Sequence, residues 1–196
     1  MNQRNILLFI FIFSSLIALS QNPDTTDKVL LNKIRTFISE NFDILDLKTG
    51  KLNTDELIDV VLILKTKNES KPHASWEGYW ERPLLILFQQ EDNTYKLKLQ
   101  TDSLVLCEGC GGMVDPYGGM ELKDNLIALS FYGGTRQRWT RDLEFTFDPK
   151  LDNFILTKDD EGSYDTLDLD SNYPVKHREG DKNIKITIDK FRIGMD

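Results

Sequence analysis

Histidine and cysteine are scarce in this chain, two of each among 196 residues, and the scarcity removes several chemistries at once. A zinc site needs four ligands at compatible spacing, yet His73 and His177 stand far from each other and from Cys107 and Cys110. Haem attachment would place His directly after the second Cys, where Gly111 stands. Neither G-x-S-x-G nor H-E-x-x-H occurs, so a nucleophile–histidine pair would have to be assembled from unmarked parts. The glycine-rich stretch from Gly109 to Gly119 is no phosphate cradle: Val114 breaks G-x-G-x-x-G and no Gly-Lys-Ser/Thr follows, so turn chemistry accounts for its glycines. No cofactor is expected. Cations are also in deficit, 24 Lys and Arg against 32 Asp and Glu, which argues against nucleic acid or an anionic membrane as the general partner.

Only one long hydrophobic run is present. Arg4 precedes an apolar stretch from Ile6 to Ile17, which closes in Ala18-Leu19-Ser20 before the polar Gln21-Asn22-Pro23-Asp24. This is the order of a signal peptide, and the run is short against the roughly 20 apolar residues of a membrane span. The reading predicts a leader over residues 1–20 and a single domain over 21–196, periplasmic or secreted, with no membrane insertion after cleavage. Loss of Arg4 with the leader takes the formal charge from -8 to -9. Outside the cytoplasm, Cys107 and Cys110 are expected to form a disulfide.

Along the domain, Val29, Leu30, Ile34, Phe37, Ile38 and Phe42 recur at helical spacing and predict one amphipathic helix over 28–42, with N-cap residues at Thr25 to Asp27. The period then changes to two. Residues 58–66 and 83–89 are apolar on both faces, as in central strands covered on both sides, and 83–100 form a hairpin around Glu91 to Thr94. A second hairpin joins 126–132 to 139–147 through Gly133 to Arg136. Shorter strands are expected over 102–106, 120–123, 153–157 and 184–188, while the acid-rich 159–181 reads as a solvated connection. The sum is an α+β, mainly β domain of mostly antiparallel strands, with the helix packed on a sheet.

The loop-then-strand segment Leu52-Asn53-Thr54-Asp55 to Asp59-Val60-Val61-Leu62, the Arg82-Pro83-Leu84-Leu85-Ile86-Leu87 strand, the Cys107-Glu108-Gly109-Cys110-Gly111-Gly112 segment and Tyr132-Gly133-Gly134 together resemble a group of exported bacterial proteins of uncharacterised activity. The likeness covers roughly residues 42–156 and implies a shared fold and an envelope location. The first segment is similar to the calcium loop D-x-N-x-D-G-x-x-D, but Lys51 occupies the first acidic position and Glu56 the glycine position. Asn53, Asp55 and Asp59 remain as candidate metal ligands. A cation beside the Lys51 ammonium is disfavoured, so the loop is expected to keep its turn without the metal, weak calcium binding being the alternative.

A C-x-x-C pair can serve redox chemistry or simply lock a loop. Redox pairs usually open a helix, for which Gly111 and Gly112 are poor starters, so a structural disulfide is favoured. Two surfaces remain as candidate ligand-binding residues. Trp76, Tyr79 and Trp80 lie on a polar loop between two core strands, where aromatics suit either recognition or a lid over the sheet. Arg136 and Arg138, with Arg141, form a basic cluster for a carboxylate or an acidic partner, or else for cross-strand pairing. The expectation is a non-enzymatic binding protein of the cell envelope, of inhibitor or immunity type, with an envelope or secreted protein as partner. The alternative is an envelope enzyme: a thiol oxidoreductase using Cys107 and Cys110, or a hydrolase without a recognisable motif.

Overall fold

The computed structural model describes residues 23–67, 69, 82–177 and 185–193. Helix α1, Pro23–Ile34, falls mostly within one compact unit, Met1–Asn32, while the sheets belong to a second, Lys33–Asp196. The helix starts earlier and ends earlier than its hydrophobic spacing predicts. A single 3-10 turn, Arg35–Phe37, follows, and the chain is extended from Phe42 onward. The apolar residues at 34, 38 and 42 therefore share a spacing but not an element: Ile38 is buried beyond the turn, and Phe42 opens a strand.

Among the described residues, nine strands form two antiparallel meanders. The first sheet has the order β1 (Phe42–Gly50), β2 (Asp59–Thr66), β3 (Arg82–Gln89), β4 (Tyr95–Val105). The second has the order β5 (Tyr117–Lys123), β6 (Leu126–Gly134), β7 (Gln137–Asp148), β8 (Asn153–Asp165), β9 (Asp168–His177). Within each sheet every strand neighbours the next in sequence, the simplest antiparallel connectivity. The mainly β, α+β class is the one the sequence predicts.

One hydrophobic core joins both sheets. Val61, Ile63, Leu84 and Ile86 of the first belong to the same cluster as Ile127, Leu129, Phe131, Leu143 and Phe145 of the second. Register pairs Val61 with Ile86 and Ile63 with Leu84, so these four share one face of β2 and β3. Val60, Leu62, Leu85 and Leu87 on the opposite face are buried as well. Continuous apolar strands covered on both sides are what residues 58–66 and 83–89 demanded. In the second sheet's part of the core, Phe145 meets Phe191 edge-on, and Phe147 meets Phe154 in the same way.

Three other regions differ from the sequence expectation. Strand β1 has no counterpart there, because a bulge between Ile44 and Asp46 shifts its alternation by one residue midway. The acid-rich stretch 159–181 is no solvated connection over its described part: it continues β8 to Asp165 and supplies β9, which runs to His177, while 178–181 lie outside the described residues. Its acids are tolerated there because cations of β7, β8 and the β6–β7 turn neutralise them, through Arg141 to Asp159 and Glu161, Lys158 to Asp160, and Arg136 to Asp165. Near the C-terminus, the expected strand over 184–188 is reduced among the described residues to a single bridge, Thr187 to Ile155, with Ile188 buried in the core.

Candidate functional site

Antiparallel register sorts the loops to two poles. At one pole, β2 ends at Thr66, β3 begins at Arg82, β4 ends at Val105, β5 begins at Tyr117, and the β6–β7 and β8–β9 turns close. Gly112 bridges Gly134 there, and the Thr166 N–H donates to the Arg136 carbonyl at 3.0 Å. The disulfide segment, Arg136 and Arg138 are thus brought to one end of the molecule, although 26 residues separate Cys110 from Arg136 in the chain. Trp76, Tyr79 and Trp80 lie outside the described residues, but Glu69 and Arg82, which bracket their segment, are bonded to each other at this pole.

Arg82 is the hub. Its side chain is 1% exposed, and its guanidinium donates from Nε to Glu69 Oε1 at 2.6 Å and from Nη1 and Nη2 to the two oxygens of Asp115 at 2.8 and 2.7 Å. Burial alone would favour loss of its proton, but the two carboxylates outweigh it and hold the guanidinium more firmly charged than usual. Burial likewise pushes the Asp115 carboxyl up, and the hydrogen bonds from Arg82 and the Tyr117 N–H overcome that, leaving it below the ordinary carboxylate range. Glu69 Oε1 also accepts the Glu108 N–H at 3.1 Å, while its buried Oε2 has no hydrogen-bond partner among the described residues. Three segments distant in sequence are therefore tied by one cation. Sequence reasoning missed this cluster. The available signal was a charged Arg82 placed directly against an apolar run in a central strand, where a cation is kept only if paired.

The hub clamps the disulfide turn. Cys107 and Cys110 are bonded, with Cα atoms 5.1 Å apart, across a 3-10 turn at Glu108–Gly111, and the Cys110 N–H donates to the Cys107 carbonyl at 3.0 Å. No α-helix follows to lower a thiol pKa, because Gly112 at φ 91 turns the chain aside. A Cβ on Gly111 would stand 2.8 Å from Pro116, so the turn closes tightly on its own exit. Beyond it Met113, 70% exposed, and Val114 project from the pole, and Leu167 does so from the β8–β9 turn.

The basic cluster is largely consumed by cross-strand pairing. Arg136 bonds Asp165, and Arg141 is buried in a two-pronged bond to Asp159 at 2.8 Å with its guanidinium 5.4 Å from the Phe191 ring centre. Arg138 donates to the Gly134 carbonyl and lies over the Tyr132 ring. Arg138 and Tyr132 face away from the core, unlike Arg141.

The acidic loop sits at the opposite pole. Asn53 Oδ1 accepts the Asp55 N–H at 2.7 Å, Asp55 Oδ1 accepts the Leu57 N–H at 2.9 Å, and the buried Asp59 carboxylate accepts the N–H groups of Leu52 and Gln89. Burial raises the Asp59 pKa, and these two hydrogen bonds offset it only in part. The two residues that depart from the calcium pattern, Lys51 and Glu56, pair with each other. Each candidate metal ligand thus braces the turn through the main chain, and no cluster of three His, Cys, Asp or Glu with metal-holding geometry occurs among the described residues. No helix among them is long and apolar enough to cross a membrane. Compared with protein-family models, curated proteins and solved structures, the chain matches none.

Proposed function

We propose that this is an exported, non-enzymatic binding protein of the cell envelope that meets its partner through the pole of the disulfide turn together with Trp76, Tyr79 and Trp80. The observation that carries the reading is the pairing of exposed apolar side chains, Met113 and Val114, with a rigid base made by the bridge and the buried Arg82 hub. Recognition loops gain affinity when their ordering is settled before binding, and a short covalent turn held by a buried cation provides that. An inhibitor or immunity role suits the same surface, because a small acidic protein with a preset apolar tip blocks a partner without chemistry of its own. The test uses purified protein with its disulfide formed, immobilised and exposed to envelope and culture-fluid proteins of the source organism. A partner retained by the parent and lost both by Met113→Glu/Val114→Glu and by Trp76→Ala/Trp80→Ala supports the reading. Retention of every interaction by both variants overturns it.

A further inference from the structure

The outward face of the second sheet carries a trough that the loop pole does not account for. Its floor is made of small residues at adjacent register positions, Gly119 opposite Ser130 on β5 and β6, with Ala128 further along β6. The concavity measures about 480 Å³, inside the range of roughly 300–1,000 Å³ typical of small-ligand sites. Its glycines have separate reasons. A Cβ on Gly118 would stand 2.9 Å from Ser130 Oγ, so β5 and β6 approach only because it is absent, whereas one on Gly119, at φ 142, would meet nothing within 4 Å. The trough is therefore open on the side where an ordinary residue would fill it.

Its walls present both signs of charge in equal number. Lys48 reaches in from β1, Lys123 stands on β5 and Lys158 on β8; Glu121, Asp142 and Glu144 are the matching carboxylates. Lys158 lies 3.6 Å from Glu144 and 3.4 Å from Asp160, and the nearby Asp142 carboxylate adds to the pull that holds its ammonium charged. A cation or an anion would meet a like charge wherever it lay. A ligand rich in hydroxyl groups would not, because each hydroxyl donates to a carboxylate and accepts from an ammonium. Two residues along β6 from Ser130, about 7 Å at the usual rise, Tyr132 stands exposed, with its hydroxyl 3.1 Å from that of Tyr164. Arg138 lies over one side of the Tyr132 ring, and the side away from it would offer an apolar face to the C–H surface of a sugar.

We propose that this face binds a neutral oligosaccharide, with Tyr132 as the stacking ring and Asp142, Glu144 and Lys158 as hydrogen-bonding partners. The trough crosses β5 to β8, about 14 Å at the usual strand spacing, a span suited to an oligomer rather than a single ring. The trough itself lies along the strands, its Tyr132 end bordering the loop pole through the Tyr132 N–H to the Pro116 carbonyl, and its test uses ligands and variants other than those of the contact surface proposed above.

The test is a titration of the isotopically labelled, disulfide-bonded protein with cellotetraose, maltotetraose and chitotetraose, followed by amide chemical shifts, with tetralysine and a tetragalacturonate as charged controls. At least one neutral tetrasaccharide is expected to shift amides over 118–121, 128–132 and 142–144. Its affinity is expected to fall at least about tenfold, or 1.4 kcal/mol, in Tyr132→Ala and in Asp142→Ala, and to stay unchanged in Met113→Glu. No shift from any neutral oligomer at about 10 mM, where a site with a Kd of about 1 mM is nearly saturated, overturns the proposal. So does a stronger response to either charged control, or binding unaffected by both Tyr132→Ala and Asp142→Ala.

Discussion

Replacing Arg82 with Met tests the hub directly. The substitution keeps much of the stem but removes the cation, leaving Glu69, 2% exposed at its side chain, without a counter-charge. Deleting one partner of a buried pair costs about 3–5 kcal/mol, because the remaining charge stays desolvated. Asp115 is more open to water and adds less to that figure. Against a total stability of about 5–15 kcal/mol the loss is a large fraction. With a urea slope near 2 kcal/mol/M, the unfolding midpoint at neutral pH is expected to fall by about 2 M. A second substitution, Glu69→Leu, combined with Arg82→Met, is expected to recover part of the loss, since it removes the orphaned charge. Acid adds a second arm. The Asp115 carboxyl is held below its ordinary range in the folded protein, so its contribution is present above the unfolded-state pKa and is lost as pH falls toward the folded value. Without Arg82 that contribution disappears, and the acid limb of stability is expected to flatten. A midpoint within about 0.3 M of the parent, or about 0.6 kcal/mol, would refute the assignment of the hub as the clamp of this pole.

Two further outcomes follow from the same pole. Cys107→Ser/Cys110→Ser opens a loop of sequence separation 3, for which the chain-entropy relation gives a loss of only about 2 kcal/mol; urea unfolding in the absence of reductant measures it, and a loss as large as that of Arg82→Met would mean that the bridge holds the turn as firmly as the cation does. Tyr117, largely buried and donating to Asp46 Oδ2 at 2.8 Å, has its phenol pKa pushed far up, chiefly by burial and then by the Asp46 carboxylate. Its unfolded form ionises near about 10, so stability is retained below about pH 10 and lost as pH rises past it. Tyr117→Phe is expected to cost about 1.5–3 kcal/mol at neutral pH and to weaken that alkaline decline; an unchanged alkaline slope would count against the buried phenol as its source.

The bridge between Cys107 and Cys110 and the two hairpins are legible in the sequence because each depends on residues close together in the chain: a separation of three, or an alternation interrupted by turn residues. The Arg82 hub is not. Glu69 and Asp115 lie 13 and 33 residues from Arg82, and nothing local distinguishes either acid from the others in an acidic chain. Arg136, Arg138 and Arg141 look alike as a cluster, yet the pleat sends Arg141 toward the core and Arg138 outward, and only the partners on β8 show which cation is consumed. The trough is hidden for a related reason, since Gly119, Ala128 and Ser130 become neighbours only through register.

By itself the sequence determined the class of fold, the burial of β2 and β3 on both faces, and the turns that make meanders. Those properties are carried by short-range periodicity and by composition, which every chain displays before it folds. Tertiary structure alone decided where β1 bulges, that acids after Lys158 could sit in strands, that the disulfide shares a pole with Arg136 and Arg138, and that Arg82 joins three segments. Each of these is a matter of which group meets which across strands, and that pairing exists only once the register is set.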